Sequence, residues 1–133
     1  MNIVLEIWNS FRSMPAWVQI WVAFILAPVN MASLLFLNEV YGLWIALLAI
    51  GGMTPNLVIM AYERGLSKAM ALPHLVIWTP LVIIIALWLN DGGPDAQLFP
   101  MYLWVLLGVN LISLAFDLKD GLAWLGGDRD IAH

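Results

Sequence analysis

The sequence predicts an all-α integral membrane protein with four transmembrane helices behind a short N-terminal amphipathic interfacial helix, both termini being cytoplasmic. Three observations carry that expectation. Apolar residues make up 63% of the 133 residues and charged residues only 11%, far from the roughly 25% charge of a soluble domain. Four stretches, 17–37, 40–61, 72–89 and 98–116, contain no Lys, Arg, Asp or Glu, and each is long enough for a hydrocarbon core about 30 Å thick, which needs about 20 helical residues. A small globule has too much surface to bury four such helices. The third observation is the placement of the five cations.

Arg12 precedes the first stretch, Arg64 and Lys68 separate the second from the third, and Lys119 and Arg129 follow the fourth. The other two connections carry only Glu39, Asp91 and Asp95. Positive charge resists translocation, so this partition sets a cytoplasmic side and requires an even number of spans. The expected location is the inner (plasma) membrane of a cell, multi-pass, in a single domain covering 1–133.

Taken in order, residues 1–14 form the interfacial element. Ile3, Val4, Ile7, Trp8 and Phe11 recur at helical spacing while Asn2, Glu6, Asn9 and Ser13 fall elsewhere, the pattern of a helix lying on a membrane surface. Glu6 comes before any basic side chain and no compact apolar run follows, which argues against a cleavable signal. Pro15 turns the chain into the first span. Most of the eight Trp residues fall near expected span ends, where an amphipathic ring sits well; Trp78 is the deep exception. The third span follows, and beyond the fourth the tail 117–133 reads as cytoplasmic.

Within the spans, Pro28 and Asn30 interrupt the first, Gly51, Gly52, Thr54, Pro55 and Asn56 the second, and Thr79 and Pro80 the third, while Asn110 and Ser113 place polarity in the fourth. At 1.5 Å of rise per residue, Asn56, Thr79 and Asn110 lie on the order of 8 to 10 Å from the cytoplasmic ends of their helices. Asn56 and Glu63 are seven apart, as are Asn110 and Asp117 with Ser113 between, so each Asn shares a face with a carboxylate. This defines a candidate polar path: Asn30, Asn56, Thr79, Asn110, Ser113, Glu63 and Asp117, with carbonyls freed near Pro28 and Pro55 as further oxygen ligands. The competing expectation is that these amides only hold helices together, each contact contributing about 0.5 to 2 kcal/mol. Gly42, Ala46, Ala49 and Gly52 form a small-residue strip that favours close helix packing, and packing is the preferred reading.

No cysteine is present, which excludes thiolate metal sites and cysteine nucleophiles. His74 and His133 are the only histidines; His74 reads as an interfacial side chain, and neither a metal site nor a cofactor is expected. With a net charge of -4 and no basic cluster, nucleic acid is not a partner. The expected partners are the bilayer and either further copies of the chain or a larger membrane complex. An absence of ionisable groups at mid-membrane argues against proton-coupled transport. The function expected is that of a non-enzymatic accessory or scaffold subunit. A homo-oligomeric channel or small-solute transporter with an Asn-lined path is the alternative, and an interfacial lipid-acting enzyme ranks third.

Overall fold

A computed structural model describes residues 2–39, 41–94 and 97–129; Val40, Asp95 and the terminal His133, named above, lie outside the described residues. All regular structure in the described residues is helical. We label the helices α1 (Ile3–Ser13), α2 (Ala16–Phe36), α3 (Gly42–Gly51), α4 (Thr54–Glu63), α5 (Ala71–Asn90) and α6 (Leu98–Leu125). A 3-10 turn, Lys68–Met70, leads into α5. Four segments are long and apolar enough to cross a membrane: α2, α3 with α4, the turn with α5, and α6.

Asn2 caps α1, its side chain accepting from the Val4 N–H at 2.9 Å, which satisfies one of the donors a helix start leaves open. The elbow at Pro15 is held by Gln19, whose amide donates to the carbonyls of Met14 at 2.7 Å and Arg12 at 3.1 Å and accepts from the Arg12 guanidinium at 2.8 Å. α2 is irregular for a local reason. Pro28 has no N–H to give back to the preceding turn, and the turn before it, Trp21–Leu26, widens to a π-helix that the Ala27 N–H closes on the Val22 carbonyl. The last five residues tighten to a 3-10 helix. A second break falls where expected, between α3 and α4, with Pro55 in the first turn of α4 and the Thr54 hydroxyl donating to the Ile50 carbonyl at 2.9 Å.

Pro80 behaves differently from expectation. It lies inside α5, which runs unbroken from Ala71 to Asn90, and it faces outward with Thr79. The ring costs one backbone hydrogen bond on the outer face and leaves the helix continuous.

α5 and α6 form the most extensive pairing, and α3 packs on α5 and on α2. Their shared core is Ile45, Ala49, Trp78, Leu81, Ile85, Phe99, Leu103 and Leu106. The outer surface is equally apolar: Phe24 is 76% exposed, Leu35 81%, Val58 70% and Val76 72%. A protein with large aliphatic and aromatic side chains both inside and outside fits a lipid surround, where there is no hydrophobic penalty for an apolar exterior.

The small-residue strip meets different partners at its two ends, the backbone of the adjoining turn at Gly42 and a side chain at Gly52. A Cβ on Gly52 would overlap the Trp78 indole, and one on Gly42 would overlap the Phe36 carbonyl of the adjoining turn. Ala46 and Ala49 are buried beside them, and the Ala49 carbonyl accepts from Trp78 Nε1 at 3.0 Å. Trp78 is therefore a core residue seated in the hollow that glycine leaves.

One end of the bundle gathers the charges. The Arg64 guanidinium lies 3.3 Å from the Glu6 carboxylate, the Lys68 ammonium lies 2.8 Å from Asp128, and the Leu66 N–H donates to Ser10 Oγ at 3.0 Å. These contacts join α1, the connection after α4 and the chain beyond α6. α6 extends to Leu125; at about 42 Å it is longer than a hydrocarbon core is thick, so its final turns belong to this charged end.

Candidate functional site in a lateral cavity

The inward stripe of α6 begins apolar, with Phe99, Leu103, Leu106 and Leu107, and turns polar at Asn110, Ser113 and Asp117 before closing on Gly121. α5 presents His74 one turn before Trp78 on its own inward stripe, and α4 presents Asn56. The four polar side chains Asn56, His74, Ser113 and Asp117 meet at one place. Asn56 and His74 are each 7% exposed and Asp117 is 9% exposed, which makes every unpaired polar atom here costly.

Asn56 Nδ2 lies 2.9 Å from His74 Nε2. An amide nitrogen only donates, so Nε2 accepts and the imidazole proton sits on Nδ1. Nδ1 in turn lies 3.0 Å from Asp117 Oδ2, which also accepts from the Ser113 hydroxyl at 3.2 Å. The His74 ring stacks on the Trp78 indole, centroids 3.9 Å apart and planes at 9°. The imidazole is thus fixed on both nitrogens and on one face.

One atom of the cluster has no partner: Asn56 Oδ1, buried and accepting nothing. Asn56 is among the residues that line a cavity of about 1060 Å³, whose apolar walls include Val4, Ile7, Trp8 and Phe11 of α1, Val18, Trp21 and Val22 of α2, and Met53, Leu57 and Met60 near and on α4. His74, Ser113 and Asp117 line its polar end, and Lys68, Lys119, Asp120 and Asp128 line it at the charged end of the bundle. The apolar stripe of α1 expected to lie on a membrane surface is part of this wall.

The remaining expected path residues go elsewhere. Asn30 and Asn110 form a closed reciprocal pair: Asn30 Nδ2 donates to Asn110 Oδ1 at 2.8 Å, and Asn110 Nδ2 returns to Asn30 Oδ1 at 3.0 Å. Asn30 also donates to the Leu26 carbonyl at 2.9 Å, and both residues are fully buried. Thr79 is exposed, because Trp78 occupies the inward direction and its successor is turned about 100° away. Glu63 lines a second groove with Ala69, Leu72 and Trp124. Its seven-residue step from Asn56 preserves the helix face, but about 10 Å further along α4 that face meets different neighbours. Of the helix-breaking prolines, Pro28 and Pro55 sit at irregular backbone and Pro80 does not.

His74 is the residue that sequence reasoning missed. Its signal was its register: His74, Trp78, Leu81, Val82 and Ile85 are spaced by four, three, one and three, the inward stripe of α5. In a helix apolar all round, no contrast marks that stripe.

Two groups, His74 and Asp117, have metal-ligating chemistry here, but no three such residues converge among the described residues. Ser113 gives its hydroxyl to Asp117 and not to His74 Nε2, so the base nitrogen faces an amide and not a nucleophile. Comparison with protein-family models, with curated proteins and with solved structures finds nothing that matches this chain.

Proposed function

We propose that the protein is a non-enzymatic, membrane-embedded accessory protein that holds an amphipathic molecule in its lateral cavity, head group against Asn56. The observation that carries this is the buried Asn56 amide, its Oδ1 without a partner, among the residues lining a cavity of about 1060 Å³ whose walls along α1, α2 and α4 are largely apolar. Sites for small molecules have this composition, with apolar walls and a few fixed polar groups that set orientation. The head group must donate a hydrogen bond, because Oδ1 only accepts. His74 and Asp117 act through Asn56: by occupying its Nδ2 they orient the amide with oxygen free.

Binding is favoured over conduction because Asn30 and Asn110 satisfy each other and Glu63 and Thr79 stand outside the cavity, which interrupts a continuous polar track. It is favoured over hydrolysis because His74 Nε2 is already occupied by Asn56.

The test uses hexadecanol carrying a mid-chain diazirine, a probe with one hydroxyl donor and an apolar body. Photolabelling of the purified protein is expected to map to α1 and α2, around Trp8, Val18 and Val22. V22W, which fills the cavity, and N56L, which removes the acceptor, should each cut labelling by about tenfold, the value of one buried hydrogen bond or of excluded volume. Labelling spread evenly over the outer faces, and unchanged in both variants, would overturn the reading.

A further inference from the structure

The helices that wall the lateral cavity are not all joined to one another. α2 packs on α3 and α6, whereas α4 packs on α3, on the turn before α5 and on α1, so the first half of α2 and α4 both line the cavity without extensive packing between them. α1 bridges this gap. It is chained to α2 at Pro15, and its body rests at the end of α4, where the Leu66 N–H donates to Ser10 Oγ at 3.0 Å and the Arg64 guanidinium lies 3.3 Å from the Glu6 carboxylate. Val4, Ile7, Trp8 and Phe11 line the cavity, so this side of α1 covers a void and not a packed core. Few polar contacts hold it there. Ser10 is buried, but the Arg64 side chain is more than half exposed, and both bonds between Arg12 and Gln19 at the elbow are exposed. At the elbow itself Met14 and Pro15 are extended, and the bond from Gln19 to the Met14 carbonyl sits at the pivot.

We propose that α1 is a strap over the lateral cavity, undocking at Ser10 and Glu6 and pivoting at Pro15 so that an amphipathic molecule passes between α2 and α4. The helix has a second place to lie. Val4, Leu5 and Trp8 are each more than half exposed, so α1 carries apolar side chains on its outer side as well as toward the cavity, and such a helix is stable in a membrane surface. Undocking therefore exchanges one apolar environment for another, and gives up one shielded hydrogen bond together with contacts that solvent already screens. Hinges of this kind are a few residues at the end of an element that absorb the change in backbone angle. The proposal rests on the amphipath reading of the cavity and adds the route by which the occupant enters and leaves.

The chain has no native cysteine, so E6C/R64C joined by a reducible bis-methanethiosulfonate cross-linker locks the strap while Ser10 stays in place. Two readouts follow, each compared with the same protein after reduction. The first needs no occupant: the Leu66 N–H is covered by a side chain of α1, so its hydrogen exchange reports undocking, and the lock should slow it at least about tenfold, the size of one buried hydrogen bond. The second uses the hexadecanol diazirine probe. Locked before the probe is added, the protein should be labelled around Val18 and Val22 about tenfold less than after reduction. Locked after loading, it should keep the probe against an excess of unlabelled hexadecanol, which a cavity merely distorted by the cross-link would not do. Equal labelling in locked and reduced protein, loss of preloaded probe at the same rate in both, or Leu66 exchange indifferent to the lock would overturn the strap and leave the amphipath reading standing. Absence of labelling around Val18 and Val22 in both forms, with Leu66 exchange still slowed by the lock, would overturn the amphipath reading and with it the gating role, while the movement of α1 remained.

Discussion

Asparagines at two depths do different things although the chain writes them alike. Asn30 and Asn110 exchange both hydrogen bonds across α2 and α6, whereas Asn56 spends its donor on His74 and keeps its acceptor. Replacing Asn110 by Leu strands Asn30 Oδ1 in the core and leaves Nδ2 with the Leu26 carbonyl alone, and should lower stability by about 1 to 3 kcal/mol; N30L/N110L should recover part of that, since it also removes the stranded oxygen. Unfolding in mixed micelles measures N30L, N110L and the double variant, and a double-variant loss equal to the sum of the two single losses would show that the pair is not coupled. Glycines separate just as cleanly. G52A drives a methyl into the Trp78 indole and should cost about 1 to 3 kcal/mol, while at Gly108, within α6, nothing lies in reach of a Cβ, so G108A should be neutral or stabilise by up to about 1 kcal/mol. The sequence marks Asn30, Asn56 and Asn110 as buried polar residues because their surroundings are apolar. It cannot say which amide partners which, since pairing depends on helix rotation, and a uniformly apolar helix has almost no amphipathic signal to fix that angle.

At the scale of elements, the segments legible in advance are those whose limits are set by charge or by backbone chemistry. Cations and carboxylates bracket the four long segments, Pro15 starts α2, and Pro55 starts α4 at the break after Gly52. Pro80 resisted the same logic because a proline facing outward from a helix costs a bond without forcing a bend when the neighbouring turns are held by packing on the inner face. α1 was legible as an amphipathic helix, but its stripe is equally suited to a membrane surface and to a cavity wall. What holds it is specific: Ser10, 3% exposed, accepts from the Leu66 N–H, and Glu6 pairs with Arg64, whose side chain is more than half exposed. The buried hydrogen bond should outweigh the screened ion pair. Hydrogen exchange across residues 3–13 is therefore expected to speed up markedly in S10A and little in R64A. The reverse order would show that charge, not the buried hydroxyl contact, docks the helix.

For the whole molecule, the partition of charge becomes a question of which way the bundle faces. Arg12, Arg64, Lys68, Lys119 and Arg129 belong to the end at which α1, the connection after α4 and the chain beyond α6 meet, and the opposite end keeps Glu39 and Asp91 without a cation among the described residues. Each Lys or Arg near a span end resists translocation, while acidic residues contribute little to orientation, so the charged end is expected on the cytoplasmic side. The chain has no native cysteine, and a single introduced thiol therefore reports one position without background. Q97C and N9C replace exposed residues at opposite ends of the bundle. In intact cells a membrane-impermeant maleimide should label Q97C and leave N9C unlabelled until the membrane is opened. Neutralising Arg64 and Lys68 together removes two of five cations, and because the bias is a sum over short loops, a fraction of R64N/K68N molecules should then expose N9C. If labelling of N9C stays at background, the three remaining cations are sufficient. If N9C is labelled in the unmodified protein, the bundle faces the other way, with the charged end outside.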